Sequence, residues 1–171
     1  MSNEYKDWLN DMTKNQYRNY EICMKYHFLL PRLLNGAIDQ STDYSYIGIN
    51  IPDGWMDLFL QMCEDIAPLI EEYCPDFYFL QIKEKYGQMR CYPSIYNKEI
   101  DDIIYQYEVA SKYVCCECGA PAFFQTTDYI LPYCGDCFKR MYIEKIKYKT
   151  LTPTRSEVLE RYAKKNKYKM F

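Results

Sequence analysis

The spacing of apolar side chains predicts helices on both sides of one β-hairpin. Between residues 55 and 73, apolar residues recur every three or four positions, which predicts an amphipathic helix with Asp53 as its N-cap. Its acidic residues fall mostly on the opposite, solvent-facing side: Glu64, Asp65, Glu71 and Glu72. Residues 77–92 alternate between two faces around a turn at residues 85–87, which is typical of a hairpin.

The same spacing predicts further helices before and after this central part. Residues 3–34 indicate one or two helices, and residues 36–52 have the composition of a loop. Residues 97–113 predict another helix, whose first turn suits Asp101 and Asp102 because carboxylates favour helix N-termini.

The end of the chain is richer in polar residues, and two basic segments there are expected to be helical. The first begins at Phe138, and the second begins at Thr154, which forms a capping box with Glu157. We therefore expect an α+β fold in which helices pack on a small antiparallel hairpin or sheet. The predicted division is a helix-and-hairpin body at 1–113, a cysteine-rich module at 114–138 and a basic helical extension at 139–171.

Composition supports a folded protein and narrows its chemistry. Of 171 residues, 49% are hydrophobic, which is enough for a buried core. No apolar run approaches the roughly 18 residues of a membrane span, and the N-terminus does not resemble a secretion signal, so a cytoplasmic protein is expected. A single histidine, His27, excludes most arrangements that need a catalytic histidine.

The net charge of -3 conceals two oppositely charged parts. Residues 1–138 hold 10 Lys+Arg and 21 Asp+Glu, a balance of -11, whereas residues 139–171 hold 11 and 3, a balance of +8. A basic tail on an acidic body has two explanations: the tail binds nucleic acid, or it docks on its own body.

The cysteines predict a metal site. Two Cys-x-x-Cys pairs, Cys115 with Cys118 and Cys134 with Cys137, are separated by 15 residues, a spacing expected of a structural zinc site. Each pair offers two thiolates, and a short hairpin brings the pairs together around one Zn²⁺. Four thiolates leave no position open for water, so the site is expected to be structural rather than catalytic.

Neighbours of these cysteines refine the prediction. Gly119 and Gly135 each suit a turn that requires positive φ. Cys116 is ambiguous. It can replace Cys115 as a ligand only by pairing with Cys118 at the closer Cys-x-Cys spacing. The remaining cysteines are expected to be small apolar core residues: Cys23, Cys63, Cys74 and Cys91.

Several cations are candidate contacts for a partner. On the hairpin and in the basic extension they are Lys83, Lys85, Arg90, Lys139, Arg140, Lys145 and Lys147. The hairpin charges have a second explanation, a solvated strand surface with cross-strand pairing. The chain also holds 20 tyrosines, which suit interfaces because they combine rigid area with one polar tip.

Residues 54–137 carry three matching stretches in order. They are Gly54-Trp55 with the following helix, the run Leu80-Gln-Ile-Lys-Glu-Lys-Tyr-Gly-Gln-Met-Arg90-Cys-Tyr92, and the two cysteine pairs. In this order they resemble an uncharacterised family of phage, prophage and bacterial proteins with a C-terminal zinc ribbon. The chain departs from that pattern at Tyr86, where phenylalanine is usual, at Cys116, and in its long basic extension. The resemblance implies a fold and a mobile-element setting but no activity.

The expected function is therefore non-enzymatic. A zinc-binding interaction protein of phage or mobile-element type would bind a host protein in a bacterial cytoplasm, with inhibition of a defence system, in the manner of an anti-CRISPR, as one outcome. The alternative is a nucleic-acid-binding zinc-ribbon protein that uses residues 139–171. A third interpretation is an enzyme with a carboxylate or lysine site, which a deep pocket where Lys83 and Arg90 converge with acidic groups would support.

Overall fold

A computed structural model describes residues 12–141 and 146–171 of the chain. These residues form five α-helices: α1 at Lys14–Lys25, α2 at Met56–Tyr73, α3 at Lys98–Ser111, α4 at Gly135–Arg140 and α5 at Glu157–Asn166. They also form six short strands: β1 at Ile49–Asn50, β2 at Phe79–Glu84, β3 at Met89–Pro93, β4 at Phe124–Thr126, β5 at Pro132–Tyr133 and β6 at Tyr148–Thr150. The fold is α+β, as the sequence predicts.

The strands make two three-stranded sheets. The predicted hairpin is confirmed, since β2 pairs antiparallel with β3, and Tyr86 and Gly87 both take positive φ at its turn. Strand β1 adds to β2 in parallel, although residues 36–52 are predicted to be a loop. In the second sheet, β4 lies between β5 and β6.

Helix α2 is the centre of the body. Leu58, Phe59, Met62 and Ile66 along one face are fully buried, as the helical spacing predicts. Helix α3 packs against α2 and also covers the outer edge of β3. Because burial of such side chains contributes about 1.5–3 kcal/mol each, this face contributes much of the stability of the body.

Helix α3 satisfies the free edge of β3 with side chains. The Ser111 hydroxyl accepts a hydrogen bond from the Met89 amide at 2.8 Å, and the Glu108 carboxylate accepts one from the Cys91 amide at 2.8 Å. The same carboxylate binds Arg90 at 2.9 Å. These contacts occupy backbone groups that an open sheet edge would expose.

Several predicted helix ends are wrong. Asp53 is not an N-cap, because it is the first residue of a 3₁₀ turn, Asp53–Trp55, that leads into α2. Ser156, rather than Thr154, caps α5 and accepts a hydrogen bond from the Leu159 amide. In α3 the placement of Asp101 is confirmed, since it lies in the first turn and its carboxylate accepts the amide of the N-cap residue Asn97.

The basic extension is only partly helical. The first basic segment was predicted as a helix from Phe138 to about residue 148, but α4 ends at Arg140 and residues 148–150 form β6. Residues 142–145 lie outside the described part. The second segment is helical, as α5, so one helix rather than two follows residue 141 in the described part.

One apolar core joins the three predicted segments. Its buried members include Trp55 from the body, Cys115 from the cysteine-rich module and Leu159 from the extension. The predicted boundaries at residues 113/114 and 138/139 remain a prediction. Within the described residues, no helix is both long enough and apolar enough to cross a membrane.

Candidate metal centre

Four cysteine side chains from two segments of the chain come together in one cluster. The sulfur atoms of Cys115, Cys118, Cys134 and Cys137 all lie within 4.8 Å of one another. The Sγ atoms of Cys118 and Cys134 are 3.6 Å apart. Tetrahedral Zn²⁺ with bonds of about 2.3 Å places its sulfur ligands about 3.8 Å apart, so this cluster has the dimensions of a four-thiolate metal site.

Local backbone structure brings the first pair into position. The Gly119 amide donates to the Cys115 carbonyl at 3.0 Å, and the Cys115 amide donates to the Ala120 carbonyl at 2.7 Å, which closes a tight knuckle. Gly119 has φ of +77°, a value that glycine adopts without strain, so its predicted role is confirmed.

The second pair lies at the start of α4. Cys134 is the N-cap of this helix, and its sulfur accepts a hydrogen bond from the Cys137 amide. Gly135 is the first helical residue and does not take positive φ, so the predicted role of Gly135 is wrong. The helical turn itself brings Cys137 back beside Cys134.

Electrostatics favour thiolates in part of this cluster. Burial acts to raise the pKa of Cys134, but hydrogen bonds from the Cys137 amide and from neighbouring thiols outweigh it and hold that pKa below its ordinary value. The Arg140 guanidinium donates to the Cys137 sulfur at 2.8 Å. A cation and backbone donors at the sulfurs partly offset the negative charge that four thiolates bring.

Cys116 lies outside the cluster. Its side chain is buried, and burial raises the pKa of its thiol to about 12, so it stays protonated. The Cys116 backbone links the knuckle to its surroundings. Its carbonyl accepts a hydrogen bond from the Gly54 amide at 2.9 Å, and its amide donates to the Pro132 carbonyl at 2.9 Å. The four isolated cysteines elsewhere in the chain are all buried, as expected of core residues.

The body holds the metal centre through Gly54 and Trp55. The buried Trp55 indole donates to the Val114 carbonyl at 2.8 Å, immediately before the first cysteine. Helix α5 also contacts the knuckle, where the Tyr162 hydroxyl donates to the Gly119 carbonyl at 2.9 Å. The Gly-Trp pair, interpreted from sequence as a helix start, is therefore also a docking point for the cysteine knuckle.

The candidate partner-binding cations have different surroundings. Arg90 is engaged by Glu108, and Arg140 by Cys137. Lys83 is half-buried with its amine 5.2 Å from the centre of the Tyr92 ring, and Lys85, Lys139 and Lys147 are exposed. Lys145 lies outside the described residues.

Lys83 and Arg90 are directly opposite each other in the β2–β3 pairing, and Glu108 engages Arg90. A shallow space between the hairpin turn and the loop of the cysteine-rich module is lined by Lys83, Lys85, Glu84 and Asp128, without Arg90. Glu84 is itself occupied, since its carboxylate accepts the Gly87 amide at 2.7 Å. The enzymatic interpretation stays a prediction.

Sequence analysis missed a polar cluster that fixes α5 to the body. The Tyr107 hydroxyl donates to Asp65 at 2.6 Å, and Arg161 donates to both Asp65 and Tyr107. Lys165 pairs with Glu64 at 3.5 Å. Asp65 is predicted to be a solvated surface residue, and the excess of cations in 139–171 is the only signal in the sequence that pointed to such docking.

Comparisons with protein-family models, with curated proteins and with solved structures found no match for this chain. The resemblance to the phage and prophage family therefore stays a prediction. The class of site rests on the chain's own geometry: four cysteines that lie close enough together to hold a metal ion.

Proposed function

We propose that the protein is a non-enzymatic, zinc-stabilised interaction protein that binds another protein. Zn²⁺ fits the four-sulfur cluster because thiolates in tetrahedral array are its preferred structural ligands. Cys115, Cys118, Cys134 and Cys137 would hold the ion, which supplies cross-linking of the two knuckles. Four protein ligands fill its coordination, and this supports a structural role.

The observation that carries the binding role is an apolar loop on the surface of the body. Leu33, Leu34 and Ile38 belong to one turn between α1 and β1, and Leu34 is fully exposed. Exposed apolar side chains grouped in this way are typical of protein interaction sites. Water contact with this loop is unfavourable, and a partner surface that covers it would relieve that cost.

Charge favours a protein over nucleic acid as the partner. The body carries an excess of acidic residues, and the paired cations Arg161 and Lys165 of the basic extension already face Asp65 and Glu64. Binding of nucleic acid through the extension would compete with these contacts. The bacterial cytoplasm, the mobile-element setting and an anti-defence role enter the proposal through the family resemblance alone.

The proposal is tested by capture of partners from a bacterial lysate with the tagged full-length chain at moderate salt. The matched variant is Leu34→Ser, which removes an exposed apolar side chain and is expected to leave stability unchanged. A protein that the natural chain retains and the variant loses supports the proposal. Capture of no protein that depends on Leu34, or of nucleic acid lost steeply with salt, overturns it.

A further inference from the structure

Cys118 differs from every other cysteine of the chain in its exposure to solvent. All nine cysteines lie in the described part of the chain, where eight are buried and Cys118 is exposed. Its companions in the metal cluster, Cys115, Cys134 and Cys137, are only 0%, 8% and 2% exposed. A reagent dissolved in water therefore reaches the four-sulfur cluster first at Cys118.

Metal binding would keep the side chain of Cys118 in its reactive form. A cysteine that binds Zn²⁺ is deprotonated, and the thiolate rather than the thiol attacks oxidants. The oxidation of a cysteine depends on thiolate character and on exposure together. Cys118 combines the two, whereas Cys116, two residues earlier, is buried and lies outside the cluster.

A second cysteine lies beside Cys118 and can react with its oxidised form. The Sγ atom of Cys134 is 3.6 Å from that of Cys118, so the two sulfurs need to approach by about 1.5 Å to form a disulfide. Cys134 precedes α4 in extended backbone, whereas Cys137 lies inside the helix and its sulfur accepts a hydrogen bond from Arg140. Of the second pair, Cys134 is therefore the better placed to approach Cys118.

We infer that Cys118 is a site of oxidative modification and that hydroperoxides are the reagents that modify it. In the first step, the Cys118 thiolate attacks hydrogen peroxide: an S–O bond forms, the O–O bond breaks, hydroxide leaves, and a sulfenic acid results. In the second step, the Cys134 thiolate attacks the Cys118 sulfur: an S–S bond forms, the S–O bond breaks, and a second hydroxide leaves. One peroxide gains two electrons, and two thiolates become one disulfide.

This disulfide would remove two of the four metal ligands. Thiolates are the sulfur ligands of zinc, so the two that remain would hold the ion only weakly, and oxidation would release it. Gly119 follows Cys118 directly, and its carbonyl accepts the Tyr162 hydroxyl, so the change occurs next to a contact of α5. The inference rests on the zinc site of the proposed function and adds a regulation of that site by peroxide.

The test follows zinc release from the purified full-length chain in hydrogen peroxide, with a colorimetric zinc chelator as the readout. About one zinc per chain should be released, and peptide mapping by mass spectrometry should find a Cys118–Cys134 disulfide. Dithiothreitol should reduce this disulfide and restore zinc binding. Zinc that stays bound in peroxide, a disulfide between other cysteines, or release that dithiothreitol does not reverse contradicts the inference.

The variant Cys118→His separates the exposed thiolate from metal binding. Histidine replaces one cysteine in structural zinc sites of the Cys₃His kind, so this variant should hold zinc but release it in peroxide at least about tenfold more slowly. The matched control is Cys116→Ser, which removes the neighbouring buried thiol and should release zinc at the natural rate. Equal rates for the natural chain and Cys118→His, or slow release from Cys116→Ser, overturn the assignment to Cys118.

A trapping reagent decides the assignment without a variant, should Cys118→His fail to hold zinc. Dimedone reacts with sulfenic acids, and brief peroxide treatment in its presence should label Cys118 before the other eight cysteines. First labelling of any other cysteine contradicts the inference.

Elemental analysis of the untreated chain distinguishes this inference from the proposed function. A natural chain that holds no zinc contradicts the proposed metal and the oxidation of its ligand together. Bound zinc that peroxide does not release contradicts the oxidation alone and leaves the zinc-stabilised interaction protein standing.

Discussion

Gly54 has less space around it than any side chain would need. A Cβ atom at this position would lie 2.2 Å from the Cys115 carbonyl oxygen and 2.6 Å from the Cys116 carbonyl oxygen. Both neighbours are backbone atoms of the first cysteine knuckle and cannot rotate away. Glycine is therefore required here by close approach rather than by its φ angle.

Replacing Gly54 with alanine should separate the knuckle from the start of α2. We expect Gly54→Ala to lower the free energy of unfolding by about 3 kcal/mol, since overlap with fixed backbone forces both parts to move. The matched control is Gly135→Ala, because a Cβ at Gly135 contacts only Phe124 at 3.9 Å and alanine favours the helix. Urea denaturation measures both variants, and equal stability of the two would contradict this account.

The role of a residue can be predicted from sequence where its neighbours along the chain determine that role. The four clustered cysteines and Gly119 follow from spacing over a few positions. The role of Gly54 depends on Cys115 and Cys116, about 60 residues later in the chain, and no local pattern encodes that contact. Asp53 illustrates the opposite error, because its residue type suits an N-cap but a 3₁₀ turn places it inside the helical segment.

At the scale of secondary structure, α5 shows that the basic extension is part of the folded body. Val158, Leu159, Tyr162 and Ala163 are buried along one face of the helix. Its cations on the body side face acidic residues of α2, as Arg161 does with Asp65. Of the two explanations for the charge asymmetry, docking on the acidic body describes this helix.

Shortening a buried side chain of α5 should therefore destabilise the whole protein. Leu159 is 1% exposed, so Leu159→Ala is expected to cost about 2–4 kcal/mol through lost burial and a cavity. Lys164→Ala, on the exposed face, should change stability by less than about 0.5 kcal/mol. Thermal unfolding followed by circular dichroism is the measurement, and a Leu159→Ala chain that melts like the natural one would show that α5 is not docked.

Long elements are easier to predict than short strands. Helices α2 and α3 and the β2–β3 hairpin follow from apolar spacing over many residues. Strands β1 and β6 have two and three residues, and each exists because a distant strand offers it hydrogen bonds. In β6 all three residues are exposed, so no alternation of burial distinguishes Tyr148–Thr150 from a basic helix.

At the scale of the whole molecule, metal binding and folding of the body should be one process. The knuckle that carries Cys115 contacts Gly54, Trp55 and Tyr162, and the buried side chains of the body and the cysteine-rich module form one core. Loss of the ion would remove the cross-link between the two knuckles, and the released cysteines would take up protons. The body is therefore expected to lose stability along with the metal site.

Removal of the metal gives the test. The purified protein should hold about one zinc per chain, and a chelator should lower the melting temperature of the single unfolding transition. Cys118→Ser should abolish zinc retention, whereas Cys116→Ser, which changes the neighbouring thiol outside the cluster, should retain it. Elemental analysis measures the zinc content, and calorimetry measures the melting temperature. An unchanged melting temperature after metal removal would contradict the coupling of metal binding to folding of the body.

The hydrogen bond between Trp55 and Val114 also bears on the rate at which the protein folds. It joins residues 59 positions apart, so the chain must close a long loop before the indole reaches its acceptor. Proteins dominated by such distant contacts fold slowly. If metal capture by the two knuckles precedes this closure, the folding rate will rise with free zinc, and a cell short of zinc will accumulate chains that have been synthesised but not yet folded.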